Sequence, residues 1–216
     1  MRKSLLIKLI LILIVIVGIG TIIYFYFPKI LADTFFPLEY KDQILKYSQQ
    51  YNLDPTLVAG VIYSESHFNK DAVSRAGASG LMQIMPATGR SISNKIGDSN
   101  FNVDNLFDPD TNIRYGCWYL RYLMDNYSGE VNAVLAGYNG GGAVGDRYVI
   151  SRDAGIPQET QGYIRKVNFA KSMYDNIYGP ELGGVNVAEK LRVKQENKPS
   201  YFQLIINYFV DTIRGQ

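Results

Sequence analysis

The residues of this chain best suited to chemistry lie in one stretch, residues 65–88, which reads ESHFNKDAVSRAGASGLMQIMPAT. It opens with Glu65, whose carboxyl group can give or take a proton. The only other carboxylate in the stretch is Asp71, which lies in polar loop sequence and is predicted to be a turn residue. Cleavage of glycosidic bonds normally uses two carboxylates. The stretch therefore offers one candidate acid without a partner, and this asymmetry restricts the mechanism.

A helix is predicted to position Glu65. Asp54 followed by Pro55 is a helix-start signal, because Asp caps free N–H groups and proline suits the first helical position. Apolar residues then recur at three- and four-residue intervals, which is typical of a buried helix face: Leu57, Val58, Val61 and Ile62. Glu65 continues this face at the C-terminal end. Burial and the negative pole of the helix both favour a protonated carboxyl, so we predict that Glu65 is a general acid.

Four sequence elements follow one another from residue 65 to residue 163. They are Glu65-Ser66, the block GLMQ at Gly80–Gln83, Tyr138-Asn139 within LAGYNGG, and Glu159-Thr160 with Tyr163 just beyond in PQETQGYIRKV. Their order resembles the catalytic domain of the lytic transglycosylases, which cleave bacterial peptidoglycan and have a goose-type lysozyme-like fold. The resemblance covers residues 40–178 and leaves both ends of the chain unexplained.

The resemblance implies a role for each residue of these elements. Glu65 would be the catalytic acid/base, and the saccharide groove would be lined by Ser74, Gln83, Met85, Tyr138, Asn139, Glu159 and Tyr163. Ser74 and Gln83 can exchange hydrogen bonds with sugar hydroxyls and an acetamido group, and Met85 offers an adaptable apolar surface. The hydroxyl of Tyr138 could reach Glu65 and orient it.

Two of these residues keep structural alternatives. Met85 could belong to the hydrophobic core. Glu159 follows Pro157 and could be a first-turn residue that the helix dipole favours.

The resemblance also implies a mechanism that needs no second carboxylate. Glu65 would protonate the leaving glycosidic oxygen of the MurNAc–GlcNAc β-1,4 bond and then remove the proton from the O6 hydroxyl of the muramic acid. The product would be a 1,6-anhydromuramic end, formed without water. A well-aligned intramolecular hydroxyl has an advantage over water on the order of several kcal/mol.

Two other functions stay open at this point. One is a lysozyme-like hydrolase with the same fold, which would leave reducing ends. The other is a non-catalytic wall-binding scaffold of an envelope complex. The partners expected for the enzyme are peptidoglycan glycan strands, together with cell-wall or secretion machinery.

Composition and charge exclude several other classes. The chain has 216 residues and a net charge of +2, but residues 40–180 carry 13 Lys and Arg against 14 Asp and Glu. Nucleic-acid binding needs a concentrated basic face, so no nucleic-acid partner is expected. Cys117 and His67 are the only cysteine and histidine; they cannot form a Cys/His metal site, and no metal or cofactor is predicted. Cys117 is expected to be buried and His67 to lie in a loop.

Helical periodicity dominates residues 40–178, so the predicted fold class is mainly α, with at most a short β-hairpin. Further helices are expected from Pro109, over roughly 130–137 until glycines 140–142 break it, and over about 158–177. Gly116 is expected to let another helix approach closely. Residues 81–85 are expected to be extended, because Met85 precedes Pro86.

The ends of the chain suggest a membrane anchor and a tail. Residues 9–27 are uncharged and just long enough to cross a bilayer. Arg2, Lys3 and Lys8 precede them, which places the amino terminus in the cytoplasm and the rest outside. A cleaved signal peptide is the alternative, although the site near Ala32 is poor. The predicted organisation is residues 1–30 as stub and single-pass anchor, 31–39 as linker, 40–178 as catalytic domain and 179–216 as linker and apolar helix.

Overall fold

The computed structural model describes residues 11–13, 15–21, 34–183 and 210. The chain divides into two units, Met1–Pro37 and Leu38–Gln216. In the first unit, residues 11–13 and 15–21 are helical and exposed. Among the residues described, no helix is both long and apolar enough to cross a membrane. Nine of the 19 residues of the predicted anchor, residues 9–27, lie outside the described residues, and so does nearly all of the tail after residue 183.

The second unit is helical. Its α-helices are α1 Lys41–Gln50, α2 Pro55–Ser66, α3 Pro86–Ile96, α4 Pro109–Asn126, α5 Val131–Gly140, α6 Gly142–Ser151 and α7 Gln158–Tyr178, with 3-10 helices at Val103–Phe107 and Arg152–Gly155. Within residues 34–183 there is no strand, and the β-structure consists of two isolated antiparallel bridges, Val73–Ser79 and Ser79–Ile84. The prediction of a mainly α domain with at most a short hairpin is confirmed.

Two helices start where their capping residues predict. The Asp54 side chain accepts a hydrogen bond from the Thr56 N–H at the start of α2. The Asp108 side chain accepts one from the Thr111 N–H at the start of α4. Each Asp satisfies a backbone donor that the first helical turn leaves free.

One local prediction, the extended segment at residues 81–85, is wrong for its first three residues. Residues 81–83 form a turn rather than an extended segment, with positive φ at Gly80 (79°) and Gln83 (49°). Only the end of the predicted segment is extended, with Ile84 in the bridge to Ser79 and Met85 at φ −66° and ψ 139° before Pro86. The predicted break at glycines 140–142 is confirmed, because α5 ends at Gly140. The chain turns at Gly141, whose φ is 82°, and α6 begins directly afterwards.

Helices α2 and α7 pack closely at the centre of the second unit. A Cβ built at Gly60 would lie 2.9 Å from the backbone nitrogen of Lys171, so glycine permits this approach. Lys171 also pairs with Asp54, with Nζ 2.8 Å from Oδ2. Helix α7 therefore runs along the helix that carries Glu65 and can bring side chains to it.

Gly116 on α4 admits a side chain rather than the helix that was expected. A Cβ there would lie 2.2 Å from the sulfur of Met82, and Met82 is fully buried. The glycine thus seats the turn that contains Met82 directly against α4.

Candidate active site

Glu65 is the penultimate residue of α2 and is half-buried. Burial raises the pKa of its carboxyl group to about 7, although a hydrogen bond from Tyr163 and the charge of Lys166 both lower it. A carboxyl with this pKa is close to half protonated at neutral pH. It can therefore act as an acid in one step and as a base in the next.

The hydroxyl that reaches Glu65 belongs to Tyr163 and not to Tyr138. Tyr163 on α7 donates a hydrogen bond of 2.7 Å to Oε1 of Glu65. The pKa of Tyr163 is raised well above its usual range by burial and by the Glu65 charge, so its hydroxyl keeps its proton. The Tyr138 hydroxyl donates instead to the carbonyl of Met82 at 2.8 Å. Burial and, after it, the Glu65 charge raise the pKa of Tyr138.

Lys166 is a residue of the site that sequence reasoning missed. It lies one helical turn after Tyr163, and its Nζ donates to the Ser64 carbonyl at 2.6 Å. Burial lowers the pKa of Lys166, and the charge of Glu65 opposes this. The three-residue spacing from Tyr163 puts both side chains on one face of α7. That spacing was the available sequence signal.

A turn formed by residues 79–83, which we call the 79–83 loop, belongs to the same sequence motif as Glu65 and is held by side chains from three helices. Ser66 of α2 donates from Oγ to the Leu81 carbonyl at 2.8 Å. Tyr138 of α5 donates to the Met82 carbonyl. Because each donor sits on a different helix, the loop position is fixed by the packing of the whole domain.

Asn112 supplies the third attachment of the 79–83 loop and was also missed. Its fully buried side chain accepts from the Met82 N–H at 2.7 Å and donates to the carbonyls of Ser79 at 2.9 Å and Leu106 at 2.7 Å. An Asn on the apolar face of α4 was the sequence signal, since a buried amide must find partners.

Gln83 and Ser74 both bond to backbone groups in this region. The Gln83 amide nitrogen donates to the carbonyls of Gly80 at 2.8 Å and Ala72 at 3.1 Å. The Ser74 hydroxyl oxygen accepts from the Ala78 N–H at 3.0 Å. The Gln83 amide group therefore keeps its carbonyl oxygen for a sugar, and the Ser74 hydroxyl keeps its proton and one lone pair.

Three other predicted groove residues lie at the surface. Met85 is 40% exposed just before α3, so the alternative that it is a core residue is wrong. Asn139 near the end of α5 is exposed, and Glu159 is exposed in the first turn of α7. The position of Glu159 agrees with its structural alternative, because a carboxylate there interacts favourably with the helix dipole.

Asp71, the other carboxylate of the motif, is paired with a neighbouring residue at the surface. Asp71 lies in an exposed turn, where it pairs with Lys70 at 2.8 Å. The groups that act on the pKa of Glu65 are a phenol and an ammonium, from Tyr163 and Lys166. Within the described part of the chain, no cluster of three His, Cys, Asp or Glu residues could hold a metal ion. The site thus presents one proton-transfer group near neutrality.

Comparison with known proteins adds three likenesses. The family described as the Transglycosylase SLT domain matches residues 42–159. The transglycosylase of Enterobacteria phage PRD1 is 45% identical over 104 residues, which are 48% of this chain and 36% of the phage protein. The membrane-bound lytic murein transglycosylase C of Edwardsiella ictaluri is 32% identical over 171 residues, covering 64% of this chain and 47% of the relative.

A solved structure shares the fold. The 70 kDa soluble lytic transglycosylase of Escherichia coli superposes with a TM-score of 0.63 at 27% identity, covering 71% of this chain and 27% of that one. The second unit therefore has the lysozyme-like transglycosylase fold. The chain spans between about a third and a half of the two curated relatives it matches.

Proposed function

Since the chain belongs to the Transglycosylase SLT domain family, we propose that it is a peptidoglycan lytic transglycosylase that cleaves the MurNAc–GlcNAc β-1,4 bond. The observation that carries the proposal is the state of Glu65. Its pKa of about 7 and its hydrogen bond from Tyr163 give one carboxyl group both proton-transfer roles.

In the proposed first step, protonated Glu65 donates its proton to the glycosidic oxygen as the bond from that oxygen to C1 of MurNAc breaks. In the second step, the resulting carboxylate removes the proton from the C6 hydroxyl of the same sugar. The C6 oxygen forms the new bond to C1, which gives the 1,6-anhydro ring and returns Glu65 to its protonated form. The two steps are balanced without water and without a second carboxylate.

Tyr163 and Lys166 would act on this cycle through Glu65. The Tyr163 hydroxyl fixes the position of the carboxyl, and the positive charge of Lys166 stabilises its ionised form. Without these two groups, burial alone would hold the pKa higher, and Glu65 would be a poorer acid in the first step.

The saccharide groove is proposed to use the surface around the 79–83 loop. Met85 would contact a pyranose face, while polar contacts would come from Ser74, Gln83, Asn139 and Glu159. Tyr138 would contribute the face of its ring, because its hydroxyl is bonded to Met82.

The proposed location is the extracytoplasmic face of the cell membrane, with residues 9–27 as a single-pass anchor. The length and charge flanks of this segment support it, as does the word membrane-bound in the names of several relatives. Cell-wall or secretion machinery is the proposed class of protein partner. The proposed domain bounds remain 1–30, 31–39, 40–178 and 179–216.

The test is digestion of purified peptidoglycan by the full chain and by the Glu65→Gln variant. The wild type should release muropeptides that carry anhydro ends, and the variant should bind peptidoglycan with turnover reduced at least a thousandfold. Reducing ends would establish the hydrolase instead. If neither protein cleaves peptidoglycan but both still bind it, the chain is the non-catalytic scaffold.

A further inference from the structure

Three aromatic side chains lie together on α4, and we call them the aromatic strip: Trp118, Tyr119 and Tyr122. Residues three and four apart face the same side of a helix. The rings of Trp118 and Tyr122 are nearly parallel, at 7° with centroids 5.6 Å apart, and those of Tyr119 and Tyr122 make 12° with centroids 6.3 Å apart. The strip thus presents ordered rings with similar orientation.

The inner end of the aromatic strip joins the candidate site. The Tyr119 ring centroid lies 5.4 Å from that of Tyr138, whose hydroxyl holds the 79–83 loop. Ser66, the residue after Glu65, holds the same loop through its hydrogen bond to the Leu81 carbonyl. A continuous series of rings therefore leads from the loop that is attached next to Glu65.

The outer end of the strip is open and carries a positive charge. Tyr122 is 43% exposed, and Nζ of Lys95 at the end of α3 lies 6.0 Å from its ring centroid. Single exposed aromatic residues are common on protein surfaces. A series of three that extends a candidate site is typical of ligand-binding surfaces, where aromatic side chains combine with a few polar groups.

We infer that the aromatic strip with Lys95 is an accessory saccharide subsite for the glycan strand, beyond the sugars that contact Glu65. The C–H face of an N-acetylhexosamine would lie against the rings of Tyr122 and Trp118. Tyrosine and tryptophan suit such a ligand because each combines an apolar face with a polar edge. The inference rests on the proposed function, because the occupant is the same strand.

Lys95 defines which strand fits best. Muramic acid carries a lactyl carboxyl group that is either free or extended by a stem peptide with further carboxylates. The Lys95 ammonium would pair with such a carboxylate on a sugar seated at Tyr122. A neutral chitin chain of equal length lacks this group and would gain only from the aromatic contact.

The experiment measures affinity for two strand lengths in the full chain. Long muramyl strands from amidase-treated peptidoglycan are compared with a tetrasaccharide of two disaccharide units. Binding is measured in the Glu65→Gln background, and KM and kcat are measured with Glu65 present. Tyr122→Ala should weaken long-strand binding and raise KM by about threefold to tenfold, with kcat and tetrasaccharide affinity unchanged.

Matched variants identify the interaction. Tyr122→Phe keeps the ring and should retain wild-type affinity. Lys95→Gln should weaken the binding of muramyl strands but not the binding of chitin chains. Ile150→Ser removes an 82% exposed apolar side chain from α6 and should change neither affinity. Trp118→Ala should reproduce the Tyr122→Ala effect, and Tyr122→Ala carries the test alone if Trp118→Ala does not fold.

Three outcomes would overturn the inference. These are equal long-strand affinity in wild type and Tyr122→Ala, equal losses for both strand lengths, and a change in oligomeric state in place of a change in affinity. Failure of the proposed function looks different. In that case the wild type releases no anhydro product, while the binding arm still shows whether the strip holds strands.

Discussion

Glu65 is subject to opposing influences at the end of α2. Burial removes water from its carboxyl group and raises the pKa, while the Tyr163 hydroxyl and the Lys166 ammonium stabilise the ionised form. The outcome, a pKa of about 7, is what one group needs in order to donate and later accept a proton near neutral pH. At the scale of residues, the proposed function depends on this balance.

The raised pKa of Glu65 has a cost in stability that should be measurable. The native state binds this proton up to pH about 7, whereas the unfolded chain releases it near the ordinary value of 4.5. Stability must therefore fall as pH rises from 4.5 to 7. Glu65→Gln avoids this loss, so it should match the wild type at pH 4 and exceed it by roughly 1–3 kcal/mol at pH 8.

Urea unfolding of both proteins at a series of pH values checks this prediction. A stability difference that stays constant across the range would mean that the Glu65 pKa is not raised by folding.

Lys166 should set the pH range of activity. Lys166→Met removes a charge that lowers the Glu65 pKa, so the basic limb of kcat/KM should move to higher pH by about half a unit to one unit. Lys166→Arg should restore the wild-type profile. Lys171→Met, on the same helix but paired with Asp54, is the control and should leave the limb in place.

Two other groups at this site interact with its charges, and their effects on the pH profile have to be distinguished from that of Glu65. The pKa of His67 is lowered by burial and by the charge of Lys166, and the pKa of Tyr138 is raised by burial and by the charge of Glu65. His67→Gln should keep the basic limb. If that variant abolishes the limb, or if Lys166→Met leaves it unmoved, the assignment of the limb to Glu65 is wrong.

At the scale of elements, the position of the 79–83 loop depends on the packing of several helices. Ser66, Asn112 and Tyr138 come from α2, α4 and α5, and each bonds to the backbone of this loop. Such attachments fix the loop only when the three helices are packed. The motif residues thus serve the site largely by building its shape.

Asn112 should be the most costly of these side chains to remove. Asn112→Ala leaves one N–H and two carbonyl groups without their partner in a buried region, which should cost about 2–4 kcal/mol. Asn126→Ala, exposed at the other end of the same helix, should change stability by less than about 0.5 kcal/mol. Equal unfolding free energies for the two variants would show that Asn112 does not hold the loop.

Substitutions at two glycines form a matched pair that tests how Met82 packs against α4. A Cβ at Gly116 would lie 2.2 Å from the Met82 sulfur, whereas a Cβ at Gly162 in α7 meets no atom within 4 Å. Gly116→Ala should therefore destabilise by about 1–3 kcal/mol and lower activity by displacing the loop. Gly162→Ala should stabilise by roughly 0.5–1 kcal/mol. Thermal unfolding with parallel activity assays tests both.

At the scale of the whole molecule, helices α1 to α7 all lie in the second unit. Its last described residues include Leu182, which is fully buried. A fragment of residues 38–183 should fold cooperatively and cleave soluble glycan strands with a kcat within about threefold of the full chain. Circular dichroism and product release measure this. Loss of cooperative unfolding would show that the omitted segments are part of the fold.

Local signals and a motif order predicted much of this architecture. Asp54-Pro55 and Asp108-Pro109 marked helix starts because capping depends on neighbouring residues only. The mainly α fold followed from periodicity. Glu65 was identified because the helix signal before it and the motifs after it follow one another along the sequence in the order of the family.

Contacts between distant helices were not predictable in the same way. Whether Tyr163 or Tyr138 reaches Glu65 depends on how α7 and α5 pack on α2, which no local pattern specifies. The same holds for Lys166 and for the seat of Met82 on Gly116. The turn at residues 81–83 was missed because its conformation is imposed by Asn112 and Tyr138 from elsewhere in the chain.

The central claim is that Glu65 acts alone and that a hydroxyl of the substrate replaces water. Digestion of purified peptidoglycan in oxygen-labelled water, followed by mass spectrometry of the newly formed muramyl ends, tests it most directly. The account predicts ends that are lighter by one water molecule than reducing ends and that carry no label. Labelled reducing ends in the same digest would contradict it.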